Sequence, residues 1–256
     1  MIYLGTSGYS YKDWQGPFYP NDLKKGEELT YYSQEFRFLE LNYTFYRIPT
    51  AANLANMEKK VPDNFQFAVK LHQSFTHERE YEPHFREALK GFQSKLIALL
   101  AQFPYSFKNT LENQDYLLRL RDHFTGYNVV CEFRHDSWAN IESLEFIKKE
   151  NLNICAVDEP VLKGLLPPIV LNTGAVGYVR FHGRNTSKWW QGEAAHERYT
   201  YEYSSEELLE WLPRLEFLNK SFKKTYVAFN NHYNAGAVRS ARMLRELLEN
   251  DRLLVK

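Results

Sequence analysis

Short runs rich in β-branched, aromatic and aliphatic residues alternate with longer segments of helical period eight times along the chain. The runs cover 2–7, 38–45, 65–71, 96–103, 128–134, 153–158, 177–182 and 225–231. Each has the length and apolar content of a strand buried on both faces, the pattern of a parallel sheet whose crossovers cover it on either side. Helices are predicted over 27–36, 51–61, 84–92, 113–124, 137–150, 205–217 and 235–249. Asp136 is placed as the N-cap of the fifth, and Ser204-Ser205-Glu206-Glu207 has the form of a capping box. Pro213 should kink or divide the helix it interrupts. After the sixth strand, the segment 160–168 leaves room for a turn or two of helix at most. Eight β/α alternations in 256 residues match the size and order of a (β/α)8 barrel. A doubly wound sheet would need a Gly-x-Gly-x-x-Gly turn after the first strand, and none is present. No Gly-, Ser- or Pro-rich linker divides the chain. The expected fold is therefore α/β: a single TIM-type barrel domain over 1–256, with a short or degenerate sixth helix and long loops after strands one, three and seven.

Barrel active sites gather at the C-terminal strand ends, and here the polar residues of the strands concentrate there. Strand two ends with Glu40 and Asn42, strand three with Lys70, and strand four with Gln102. Strand five ends with Glu132 and Arg134, and strand six with Asp158. Strand seven ends with Arg180 and His182, and strand eight with Asn230, Asn231 and His232. Residues two apart share a face, so Glu132 and Arg134 lie opposite Cys131 and Phe133. By the same rule Arg180 and His182 lie opposite Val179 and Phe181. The apolar sets should meet the helices and the polar sets should point inward. Glu40, Glu132 and Asp158 would supply three negative charges, and Lys70, Arg134 and Arg180 three positive ones. A self-satisfied ionic core is one reading of such a ring. A pocket with perturbed pKa values suited to acid–base chemistry is the other.

Glu40 and Glu132 could serve as acid and base, including the paired-carboxylate chemistry of glycoside hydrolysis. Glu132, Asp158, His182 and His232 could ligate a metal, but no His-Glu-x-x-His spacing is present and neighbouring cations oppose a divalent ion. Ser7 lacks a Gly-x-Ser-x-Gly context. Gly5 and Gly8 are expected to let the backbone turn at the barrel mouth. Lys70 could form a Schiff base if desolvated. Long loops at 8–20 and 183–203 carry Trp14, Trp189 and Trp190 as candidate ligand contacts.

Lys plus Arg and Asp plus Glu both total 32, which disfavours broad nonspecific nucleic-acid binding. Aromatic residues make up 16% of the chain, enough to line a cleft as well as fill a core. No basic n-region followed by an apolar stretch opens the sequence, and no apolar run is long enough for a membrane span. Cys131 and Cys155 lie in apolar runs and read as buried free thiols. The expected location is the cytoplasm.

GTSGYSYKDWQGPFYP at 5–20, ELNYTFYRIPT at 40–50, FQFAVKLHQSFTHERE at 65–80 and QFPYSF at 102–107 resemble a widespread family. So do VCEFRHDSW at 130–138, AVDEP at 156–160, YVRFHGRN at 178–185 and FNNHYNAGAVRSARML at 229–244. That family is domain of unknown function 72, the YecE-like proteins, and 198–208 resembles its Gram-positive members. The resemblance spans the whole chain and implies a (β/α)8 barrel, with no established reaction. It maps motif positions onto Glu40, Asn42, Lys70, His77, Gln102, Glu132, Arg134, Asp158, Arg180, His182 and Asn231. The resulting expectation is an enzyme using acid–base chemistry on a small anionic or polyhydroxylated ligand. Glu132 would be the base and Glu40 or His182 the acid, with Asp158 beside them. Asn42, Lys70, His77, Gln102, Arg134, Arg180, Trp190 and Asn231 would bind substrate. Neither cofactor nor metal is expected. A noncatalytic binding module for single-stranded nucleic acid or a metabolite is the alternative, and a metal-dependent hydrolase stands third.

Overall fold

Eight parallel strands close on themselves in chain order in the computed structural model, which describes residues 1–190, 197–253 and 255–256. They are β1 (Ile2–Ser7), β2 (Phe38–Leu41), β3 (Gln66–Lys70), β4 (Leu96–Gln102), β5 (Val129–Glu132), β6 (Asn153–Asp158), β7 (Gly177–Phe181) and β8 (Thr225–Phe229). β1 pairs with both β2 and β8, which completes the barrel. Around it lie α1 (Glu28–Glu35), α2 (Ala51–Lys59), α3 (Pro83–Leu89), α4 (Leu111–His123) and α5 (Ile141–Lys149). Then come α6 (Ser205–Leu209), α7 (Leu212–Ser221) and α8 (Gly236–Asn250).

Several strands stop short of their predicted ends because the chain turns as soon as it reaches the mouth. After β2, Asn42 takes helical angles and opens a 3-10 turn over Tyr43–Phe45. Helix five starts later than expected. Asp136 begins a separate 3-10 turn, Asp136–Ala139, capped by His135, and Asn140 caps α5 by accepting from the Ser143 amide. The expected capping box at Ser204 and Glu207 is present. Pro213 lies in the first turn of α7, where its missing N–H costs nothing, so the predicted helix is divided there. No helix fills the β6–β7 connection over 159–176; Pro160, Pro167 and Pro168 deprive it of amide donors. The long loops after β1 and β3 are as expected, and so is the loop after β7 over its described residues; 191–196 lie outside them.

Inside the barrel, aromatic side chains fill the lower layers. Tyr3 stacks on Tyr226 at 5.2 Å between ring centroids, and Phe38 lies 5.0 Å from Tyr226 and 6.0 Å from Tyr178. Gly5 serves this packing rather than a turn: a Cβ there would sit 2.1 Å from the Phe38 carbonyl oxygen. Gly8, with φ of +83°, is the residue that turns the chain at the mouth. Outside, Phe133 stacks on Trp138 at 4.0 Å, and Phe107 packs on Phe103 at 4.1 Å. Cys131 and Cys155 are free, buried thiols.

Two expected inward residues face the helices instead. In β6, Asp158 is in register with Phe181, whose ring packs on Trp211 outside the barrel. The Asp158 carboxylate accepts from Tyr203 Oη at 2.6 Å, Trp211 Nε1 at 2.6 Å and Arg184 Nη2 at 2.7 Å. It docks α7 and the β7 loop onto the barrel, so it is not a catalytic group of the mouth. Asn231 likewise points outward. Its amide donates to the Tyr201 carbonyl and Ser240 Oγ, both at 3.0 Å, and holds α8 to the same loop.

Asp158→Ala would leave three buried or partly buried donors facing each other without an acceptor. The expected loss is about 3 kcal/mol of unfolding free energy. Denaturant titration of a variant that keeps native circular dichroism in water measures it.

Candidate functional site

The top layer of the barrel interior is built around Arg180. From β7 its guanidinium donates from Nη1 to Glu132 Oε2 at 2.7 Å and from Nη2 to Glu40 Oε1 at 2.7 Å. Nη2 also reaches Ser7 Oγ at 3.1 Å, and that hydroxyl donates to Glu40 Oε1. Glu40 Oε2 accepts from Tyr178 Oη at 2.8 Å. Glu132 Oε1 pairs with Arg134 Nη2 at 2.9 Å and lies 3.1 Å from His182 Nε2. Arg134 Nη1 continues to Glu159 Oε2 at 2.6 Å, and His182 Nδ1 faces Asn230 Nδ2 at 3.1 Å. Inward Asn230 therefore occupies the place expected of Asn231, and Glu159 supplies the third carboxylate in place of Asp158.

The electrostatics follow from these partners. Burial pushes the Glu132 carboxyl up, but Arg180, Arg134 and His182 outweigh it and hold it well below the usual carboxylate range. Burial and then Arg134 lower His182 to about 3, so its imidazole is neutral at pH 7. In that form Nε2–H donates to Glu132 and Nδ1 accepts from Asn230. Glu40, Glu132 and His182 are each 0% exposed, with the bonds just given filling them. None is positioned to exchange a proton with a ligand, so the expected acid and base roles do not match this geometry. The Glu40–Glu132 pair shares one guanidinium rather than flanking an open cleft. Arg180, 1% exposed, is likewise enclosed.

Lys70 differs from the rest of the ring. It extends from the end of β3, and Arg180, Glu132, Glu40 and Arg134 all act on its charge. Yet among the described residues its amine makes no hydrogen bond or ion pair. It lies instead over the Phe45 ring, 4.3 Å from the centroid, a contact worth about 0.5–2 kcal/mol. Burial, and then the Arg180 charge, lower its pKa to about 7. Glu159 moves the other way: burial, opposed by Arg134, raises it to about 7, and its Oε1 has no hydrogen-bond partner among the described residues.

Beside this ring a cavity of about 210 Å³ opens at the mouth. His77, Gln102 and Arg134 give it polar walls, and Tyr105, Trp189, Trp190 and Tyr199 give it aromatic ones. Arg134 lies 5.7 Å from the Trp189 ring, and the exposed Trp190 meets Tyr105 edge-on at 5.1 Å. His77 packs edge-on against Phe45 at 5.0 Å. Burial and the Lys70 charge lower its pKa. Asn42 lies elsewhere, in a cavity of about 380 Å³ with Tyr9, Tyr11, Tyr43 and Tyr46. Trp14 is fully buried and donates to the His232 carbonyl at 2.7 Å, so it secures the first loop. Tyr105 and Tyr199 had no signal beyond their place in mouth loops. Glu159 could have been found by counting two residues on from Val157. Among the described residues, no three His, Cys, Asp or Glu side chains are grouped to hold a metal. Nor is any described helix long and apolar enough to cross a membrane.

Fold and site together define a (β/α)8-barrel protein with a charged interior ring at the C-terminal mouth. The model of the family "Protein of unknown function DUF72" matches residues 3–255, and the chain belongs to that family. It is 31% identical to the UPF0759 protein YunF of Bacillus subtilis (strain 168), over 97% of this chain and 95% of that protein. The crystal structure of a DUF72 family protein from Thermotoga maritima MSB8 is similar at 39% identity and a TM-score of 0.89. It covers 97% of this chain and 99% of its own. A DUF72 family protein from Enterococcus faecalis V583 is similar at 26% identity and a TM-score of 0.83, over 97% and 96% of the two chains.

Two stability measurements test the ring. Glu132→Gln leaves Arg180 and Arg134 short of a buried counter-charge and should cost about 3–5 kcal/mol in denaturant unfolding. Lys70→Met should do the opposite. Between a native pKa of about 7 and an ordinary value of 10.5, the unfolded chain holds the Lys70 proton and the native state does not. Wild-type stability therefore rises with pH across that window. The variant should be more stable at pH 7 by up to a few kcal/mol, and the advantage should shrink as pH approaches 10. Paired denaturation curves at the two pH values read this out.

Proposed function

We propose that the chain is an enzyme that binds a small anion, polyhydroxylated anions included, at the barrel mouth and transforms it by acid–base chemistry. Lys70 carries the proton transfer in place of Glu132, Arg134 holds the anion, and His77 is the second proton carrier. One observation carries this reading: Lys70 is the one charged side chain of the inner ring, among the described residues, that no partner satisfies. A replaceable ion network gains nothing from an unpaired buried amine, which lowers stability, whereas a base poised near neutrality is what proton transfer requires. The saturated carboxylates become positioning groups: Glu132 and Glu159 clamp the Arg134 guanidinium from two sides. Trp189 and Trp190 give the cavity apolar walls that exclude water around a bound anion.

The test is a screen of small carboxylates and phosphate monoesters by thermal shift. Each binder is then followed by proton NMR in D2O for exchange at carbon or for conversion. Arg134→Gln should weaken binding about tenfold or more, as expected for loss of a charge-assisted contact. Lys70→Met should keep binding within a few-fold while slowing exchange by about 10²–10⁴-fold. Binding without exchange or conversion, indifferent to Lys70→Met, would make the protein a noncatalytic metabolite-binding module. The absence of any stabilising anion would remove the reading altogether.

A further inference from the structure

We propose that Lys70 is a covalent catalyst: its amine forms an iminium with the carbonyl of a small 2-oxo acid or related anionic carbonyl compound. The proposal rests on the reading of the mouth as a small-anion site and adds the bond that would form there. Three features of the ring carry it. Lys70 is only 7% exposed, yet its amine has neither hydrogen-bond acceptor nor counter-ion among the described residues. Phe45 covers it from one side, with the ring centroid 4.3 Å from Nζ. Arg134 lies just past the end of β5, two strands over from β3. Its guanidinium is close enough to act on the Lys70 charge, the nearness that a molecule with a carboxylate beside its carbonyl requires of the two groups.

The environment agrees with the geometry. Lowered to about 7 by burial and by Arg180, half of the amine is neutral at physiological pH, as a nucleophile must be. The step balances without an oxidant. Neutral Nζ adds to the carbonyl carbon and a proton passes from nitrogen to the former carbonyl oxygen, giving a neutral carbinolamine. A second proton, taken from solvent onto that hydroxyl, lets it leave as water and leaves a positively charged C=N iminium. His77, also under the influence of Lys70 and exposed on the cavity side, is the group placed to relay that proton. The positive iminium acidifies the adjacent C–H bond, which links the covalent step to the proton transfer proposed above. Glu132 and Glu40 are close enough to act on the Lys70 charge and would balance the cation once formed.

Pyruvate, 2-oxobutyrate and glyoxylate are the probes, each incubated with the wild-type protein and then with sodium borohydride. Hydride reduces an iminium to a stable secondary amine, which intact-mass and peptide mass spectrometry locate. A single adduct on the peptide carrying Lys70 is expected, formed at least about tenfold more readily than with uncharged acetone. Its yield should rise as pH increases through about 7 and fall about tenfold in Arg134→Gln. Mapping of the wild-type protein decides the matter even if Lys70→Met or Lys70→Arg fails to fold. Adducts spread over exposed lysines, or no adduct at Lys70 with any of the three probes, would overturn the covalent step. If these or other anions of the screen still raise the melting temperature, the acid–base reading stands without it; if no anion of the screen does, both fall.

Discussion

The Arg180 guanidinium is the interaction on which the upper barrel depends. From β7 it reaches Glu40 on β2, Glu132 on β5 and Ser7 on β1, so one side chain ties four strands across the lumen. Buried ion pairs contribute little net stability compared with apolar packing, but removing one member is costly. The role of this bridge is therefore specification. It fixes which faces of distant strands look inward, and Tyr178 passes the constraint down through its hydroxyl on Glu40 to the ring stack of Phe38, Tyr226 and Tyr3. The lower barrel is held by dispersion and burial, and the upper by charge that must be matched.

That matching shapes the chemistry. Glu40 and Glu132 are consumed by Arg180, Ser7, Tyr178, Arg134 and His182, and a carboxylate so furnished has no reason to take up a proton at neutral pH. The groups brought near neutrality lie at the edge of the network, where burial lowers Lys70 and raises Glu159 to about 7. Each is buried, and among the described residues each has an atom or group left without a hydrogen-bond partner. The ring thus holds two adjustable protons near neutrality, and an anion entering beside Arg134 would favour keeping both.

Much of this was legible in the sequence, and the misses share a cause. Parity placed Glu40, Glu132, Arg134, Arg180 and His182 inward because strands two, five and seven set them against a clearly apolar face. Strand six offers no such contrast: Ile154 and Ala156 are as apolar as Cys155 and Val157, so Asp158 was assigned by being polar and not by its face. Its outward register opposite Phe181 follows from pairing with β7. Asn230 and Asn231 are the same residue type, so composition could not say which faced in. Asp136 looked like a helix cap, but the chain first makes a short turn at Asp136–Ala139 and begins α5 only after Asn140. Local preference allows either arrangement, and the packing of Trp138 on Phe133 accompanies the one adopted.

By itself the sequence determined that eight buried strands alternate with helical segments, that their polar residues gather at one end, and that the charges there nearly balance. Those are consequences of local periodicity, which a linear chain displays directly. Only the tertiary structure decided which charges neutralise one another. Arg180 and Glu40 are 140 residues apart, and they meet because the barrel closes. Closure exhausts the carboxylates that looked most reactive and leaves Lys70 over Phe45 with no hydrogen-bond or ionic partner among the described residues. Partnership is a property of distance in three dimensions, so the lysine that read as an ordinary counter-ion became the distinctive group of the site only once the strands were brought together.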